Sequence, residues 1–200
     1  MQSQAESVIS WRATIGPVGW IKRAAGVGIA GLAVWAAVAV WAFRFPSVDP
    51  PARTDAYFLL SSSGGLAAFQ AGLDDYPKDA AIVLSTPDEL RALPAYQKAC
   101  ARTDREIHCI SPVPVTTQGE SIAFAALARD HGWQSVTVIS QVSHTTRARM
   151  LIQRCFPGEV RMAPEDTEHG IIWARSLVYE TGASIKALVL RGCDSDEANI

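Results

Sequence analysis

The chain has 200 residues and a mass of 21.5 kDa, room for one ordinary domain and an appendage. Hydrophobic residues make up 48% and charged ones 19%, which excludes a disordered, collagen-like or low-complexity protein. Lys and Arg number 18 against 20 Asp and Glu, so no basic excess exists to neutralise a phosphate backbone, and nucleic acid is not an expected partner.

The first element is a run without charge from Ala24 to Phe43, AAGVGIAGLAVWAAVAVWAF. As a helix it would be roughly 30 Å long, the thickness of a bilayer core. Trp20 precedes it, and Trp41 and Phe43 close it, as interfacial aromatics do. The run continues into Arg44-Phe45-Pro46, which offers no small-x-small cleavage site, so an uncleaved anchor is expected rather than a signal peptide. Arg12, Lys22 and Arg23 stand before the span against Glu6 alone, whereas Arg44 and Arg53 behind it are diluted by Asp49 and Asp55. The positive-inside rule then predicts residues 1–23 in the cytoplasm, 24–43 in the membrane and the remainder outside.

Residues 44–54 contain SVDPPART, a Pro-rich tether that cannot continue a helix. Beyond it, strand-like and helix-like runs alternate. Apolar β-prone runs lie at Ala56–Leu60, Ala81–Leu84, Ile107–Ile110 and Val136–Ile139, with a weaker one near Val160–Met162. Such short runs suit strands buried on both faces of a parallel sheet. Helical patterns lie at Gly65–Leu73, Pro87–Cys100, Thr117–His131, Thr145–Cys155 and Gly170–Arg191. The expected fold of residues 55–200 is therefore a Rossmann-like, three-layer α/β sandwich with a mostly parallel sheet.

All four cysteines, Cys100, Cys109, Cys155 and Cys193, fall in the predicted outer domain. An even count in an oxidising compartment points to disulfides, with three possible connectivities. Cys100 and Cys109 bracket the short loop ARTDREIH and would pair easily, which leaves Cys155 for Cys193. No CxxC or paired-histidine spacing suggests zinc, and no metal site is expected.

In a parallel α/β sheet, ligands sit where strand carboxyl ends lead into helices, so three loops are candidates. Ser61–Gly65 follows the first strand, and its small residues, Ser62 and Gly64 among them, would let backbone N–H groups approach an anion; it lacks both GxGxxG and the P-loop Lys. Thr116-Thr117-Gln118-Gly119-Glu120 follows the third strand. Thr117-x-x-Glu120 is a capping-box pattern that needs no functional role, although the same geometry could aim Thr116, Thr117 and Glu120 at a ligand. Ser140–Arg147 follows the fourth strand, and a helix beginning near Ser143 would place His144 and Arg147 on one face of its first turn, a plausible anion pocket. Arg149 and Arg154 read as the solvated face of that helix, His108 as a structural residue of its strand, and His131 as a partner of a helix C-terminus. No GxSxG, HExxH or Cys–His nucleophile pattern is present, so no reaction and no cofactor is read from the residues.

The combination of a membrane anchor with TTQGESIAFAALARDHGW and then VTVISQVSHTTRARMLIQRC resembles the YdcF/SanA/ElyC-like family, in particular its cysteine-bearing actinobacterial branch. Thr117, Glu120, His144, Arg147 and Ala148 match its paired helix-opening motifs, and the likeness runs from about Asp55 to Cys193. Two departures stand out. Leu60 is followed by three serines and two glycines with no Arg, and Ser85-Thr86-Pro87 stands where the family has Ser-Gly-Gly. The resemblance implies a domain in cell-envelope maintenance that binds a phosphorylated or nucleotide-like envelope metabolite, related to peptidoglycan precursors or their lipid carrier. It carries over Thr117, Glu120, His144 and Arg147 as ligand-binding residues, which join Ser62, Gly64, Ser85, Thr116 and Ser140 at the strand ends as the candidate site. A scaffold protein with envelope protein partners, and an S-adenosylmethionine-binding transferase-like protein, are the alternatives it leaves.

Overall fold

A computed structural model describes residues 17–61, 76–166, 170–189 and 192–193. The chain divides into two compact units, Met1–Val38 and Ala39–Ile200. The first unit holds most of helix α1 (Pro17–Arg44), whose stretch Trp20–Arg44 has a mean hydropathy of 2.0 and is long and apolar enough to cross a membrane. Most of its apolar side chains are exposed, Val27 at 73% and Ile29 at 70%, unlike those of a buried core helix, although Ala39 and Phe43 near its end are buried.

The second unit is α/β, with one five-stranded, all-parallel sheet in the order β3-β2-β1-β4-β5. The strands are β1 (Ala56–Leu59), β2 (Ala81–Ser85), β3 (Ile107–Ile110), β4 (Ser135–Gln141) and β5 (Glu159–Glu165). β1 and β2 are buried at every position, as a central strand covered on both sides requires. Side chains alternate between two cores. Ala56, Phe58 and Leu60 face Phe124, Ala128 and Ile152 on one side, while Tyr57 and Leu59 face Tyr96 and Ala99 on the other. The helices supplying those partners are α3 (Pro94–Cys100), α4 (Thr117–His131) and α5 (Thr145–Cys155), and together they give three layers. The run predicted as one helix over Pro87–Cys100 is two, α2 (Asp88–Arg91) and α3, because Pro94 restarts the helix as its N1 residue. The predicted helix at Gly65–Leu73 lies outside the described residues.

The last helix, α6 (Gly170–Val189), begins where the sequence places it. Both disulfides form as expected, Cys100–Cys109 with a Cα–Cα distance of 6.0 Å and Cys155–Cys193 with 5.3 Å.

Two readings of arginine and tether are corrected. Arg149 is not simply a solvated residue. It donates to the Ser47 carbonyl at 3.0 Å and to the Asp49 carboxylate at 2.6 Å, and Asp49 also accepts from the Met162 amide at 2.9 Å. The Pro-rich segment is therefore strapped along α5 and β5 rather than hanging free. Burial pushes the Asp49 carboxyl up, but its bonds to Arg149 and Met162 outweigh that and hold it below the usual range. Arg154 likewise donates to the Ala187 carbonyl near the end of α6.

Candidate functional site

Strand order reverses at β1, between β2 and β4, and the crevice at such a reversal is where open α/β sheets bind ligands. A cleft of about 360 Å³ opens there, between the ends of β1 and β4, the starts of α4 and α5, and one face of α6.

The first turn of α4 is set by Thr116, not Thr117. Thr116 is the N-cap, in extended conformation, and its Oγ1 accepts from the Gly119 amide at 3.1 Å. The expected capping box is thus displaced by one residue, and Glu120 falls one position too late to close it. Gly119 makes this possible, since a Cβ there would lie 2.0 Å from the Pro114 carbonyl oxygen. Glu120, released from capping, is buried, and its Oε1 accepts from the Ser61 amide at 2.8 Å. It ties the end of β1 to α4.

The start of α5 is a 3₁₀ turn, Val142–His144, running into the helix at Thr145. It buries His144 and Arg147 on the side facing α4 and α6. Arg147 donates from Nε to Glu180 Oε2 at 2.7 Å and from Nη2 to Oε1 at 2.9 Å, a bidentate pair with both side chains almost fully buried. Arg147 Nη1 donates to Thr117 Oγ1 at 3.2 Å. His144 Nδ1 sits 2.9 Å from Arg147 Nη2 and 3.3 Å from Glu180 Oε1, and its Nε2 lies 3.3 Å from Thr117 Oγ1. Thr117 Oγ1 thus accepts from Arg147 and lies against the His144 ring in the wall of the cleft.

Burial alone pushes the Glu180 carboxyl up; the hydrogen bonds of Arg147 and His144 and the charge beside it outweigh that and bring it down to about 2. Glu180 is ionised throughout the physiological range, and Arg147 is matched by it. The charge expected from Arg147 for a ligand is accordingly already compensated. The cation left in the lining is Lys186, on α6, which has no ion pair among the described residues.

Thr116, Thr117, Glu120, His144 and Arg147 thus converge on one cleft, with Thr116 committed to the cap. Ser140 does not line it, being buried with its hydroxyl 3.1 Å from that of Thr145. Ser85 is buried at the end of β2, away from the lining, with its Oγ unpartnered among the described residues. Ser62 and Gly64 lie outside the described residues. Glu180 and Lys186 were not anticipated. The available signal was composition, because Glu180 is the sole acid of its helix, and a buried acid is costly without a partner.

A second convergence lies at the other end of α4. Glu106 Oε1 is 2.7 Å from His108 Nε2 and 3.6 Å from His131 Nδ1.

Compared with protein-family models, curated proteins and solved structures, the chain matches none.

Proposed function

We propose that the protein is a single-pass, membrane-anchored extracytoplasmic domain of cell-envelope maintenance that binds a phosphorylated or nucleotide-like envelope metabolite in this cleft. The observation that carries the reading is the convergence of Thr117, His144 and Lys186, from three helices, on the crevice where strand order reverses. In this reading Thr117 offers its hydroxyl, the amides of the α4 N-terminus add donors, and Lys186 supplies the charge that Arg147 cannot. Glu120 and Glu180 hold the walls in place. Support for a ligand met at the membrane surface comes from Thr146, between His144 and Arg147, which donates to the Ala42 carbonyl at 2.8 Å, just short of the end of α1. Two disulfides fit an oxidising compartment. The likeness to the YdcF/SanA/ElyC-like family supplies the envelope context.

A second reading is a non-catalytic scaffold, favoured by the complete pairing of Arg147 with Glu180, which would then only clamp α6 to the domain. Complementation in a strain lacking the gene separates the two. Lys186 is exposed and outside the buried network, so Lys186→Ala leaves the fold intact. Under the binding reading Lys186→Ala and Glu120→Gln each fail to restore the envelope barrier although the proteins accumulate normally. Full restoration by both would leave the scaffold.

A further inference from the structure

Edge strand β3 is the least buried of the sheet's first four, intermediate at every position, and it is held from both faces. Ile107 and Cys109 face α3, and the Cys100–Cys109 disulfide pins the strand there. His108 points to the opposite face, toward the C-terminal end of α4, where Gly132 in left-handed conformation (φ 69°) ends the helix just after His131. The two imidazole rings meet edge to face with centroids 4.6 Å apart, and Glu106 reaches both. One ligand-capable atom from each of Glu106, His108 and His131 lies within 4.8 Å of the other two.

We propose that Glu106, His108 and His131 form a binding site for a borderline divalent transition-metal ion, zinc foremost, that clips edge strand β3 to the end of α4. Two imidazoles with one carboxylate are a donor set that suits zinc, copper or nickel and not calcium or magnesium. Metal–ligand bonds of about 2.0–2.1 Å in tetrahedral geometry set ligand atoms roughly 3.3 Å apart. The observed 2.7 and 3.6 Å straddle that spacing, so small torsional adjustments of partly exposed side chains suffice. The exposure of Glu106, 49%, leaves solvent access for a water in the fourth position. The site lies at the end of α4 opposite the cleft, so its function is to fasten the fold at an edge.

Trp133 provides the readout, its ring stacked on His131 at 4.9 Å and lying 5.6 Å from His108. The untagged full-length chain, in detergent micelles and stripped with chelator, is titrated with Zn²⁺ by calorimetry and with Cu²⁺ by tryptophan fluorescence. The expected result is one Zn²⁺ per chain, with affinity falling roughly tenfold or more in each of His108→Ala, His131→Ala and Glu106→Gln. Cu²⁺ quenching present in the wild type and missing in Trp133→Phe locates the ion. His131 sits at an exposed helix end, so His131→Ala folds even where His108→Ala does not. Absence of stoichiometric Zn²⁺ binding, or binding undiminished in His131→Ala, overturns the site.

Discussion

Glu180 is the residue on which the candidate site turns. It is buried against His144 and Arg147, and the bidentate bond to Arg147 compensates its charge. Removing one partner of such a pair strands the other charge, so Glu180→Ala is expected to cost about 3–5 kcal/mol. Replacing both together, Arg147→Leu with Glu180→Leu, is expected to cost much less than the sum of the single changes. Denaturant melts of the four proteins check this, and additive losses would mean the two side chains act independently. The pH dependence has a definite sign. The Glu180 pKa is lowered from 4.5 to about 2, so its ionisation contributes stability in full above about pH 4.5, and that contribution is lost as pH falls toward 2. Thermal melts between those values should fall less steeply for Glu180→Gln than for the wild type. Thr116 and Thr117 are told apart in the same way. Thr116→Ala is expected to cost about 0.5–2 kcal/mol as a lost N-cap, whereas Thr117→Ser keeps both its accepting oxygen and its proton and should leave stability nearly unchanged.

At the scale of elements, the first turn of α4 depends on Gly119. A methyl group there meets backbone, not a flexible side chain, and Gly119→Ala is expected to cost about 1–3 kcal/mol by displacing α4 from Pro114. Because the turn carries both Thr117 and Glu120, the same variant should lose function beyond its loss of stability. The disulfides differ in reach. In the chain-entropy relation, closing the 38-residue separation of Cys155–Cys193 is worth about 4 kcal/mol and the 9-residue separation of Cys100–Cys109 about 2.5 kcal/mol. Paired Cys→Ser variants should rank in that order on unfolding, and the reverse order would show that native strain or denatured structure dominates. What the sequence discloses follows the same division. The strands were legible because a parallel sheet covered on both faces needs continuous apolar runs, and AIVL and VTVI are such runs. Helix α5 was legible because its apolar spacing opens directly after a strand. The displaced cap was not, because Thr116 and Thr117 are chemically equivalent and only the approach of Gly119 to Pro114 chooses between them. The Arg147–Glu180 pair joins residues 33 apart in sequence, and the Glu106, His108 and His131 cluster joins a strand edge to a helix end. The first has no local spacing to announce it, and in the second only Glu106 and His108 are local, two apart at the start of one strand, with nothing in the sequence to add His131.

At the scale of the whole molecule, one N-terminal apolar helix and a disulfide-bonded α/β unit make a coherent pair if the sheet domain lies outside the membrane. A reporter fused after Ile200 should then show alkaline phosphatase activity, and a cytoplasmic fluorescent reporter at the same position should stay dark; the opposite pattern would reverse the orientation. The bond from Thr146 to Ala42 and the ion pair between Arg44 and Asp166 at 3.0 Å attach the end of α1 to the domain that carries the cleft. The exposed pair contributes little to stability, and with the strapped segment at Ser47–Asp49 it fastens the first residues of this unit to its sheet and helices.

The measurement that bears most directly on this account is native mass spectrometry of the full-length protein extracted gently from its own membranes. A phosphorus-containing small molecule should accompany the wild type, be released on denaturation, and be depleted in Lys186→Ala of equal stability. A wild-type chain that carries nothing, or an adduct retained equally by Lys186→Ala, would contradict the assignment of the cleft as a binding site.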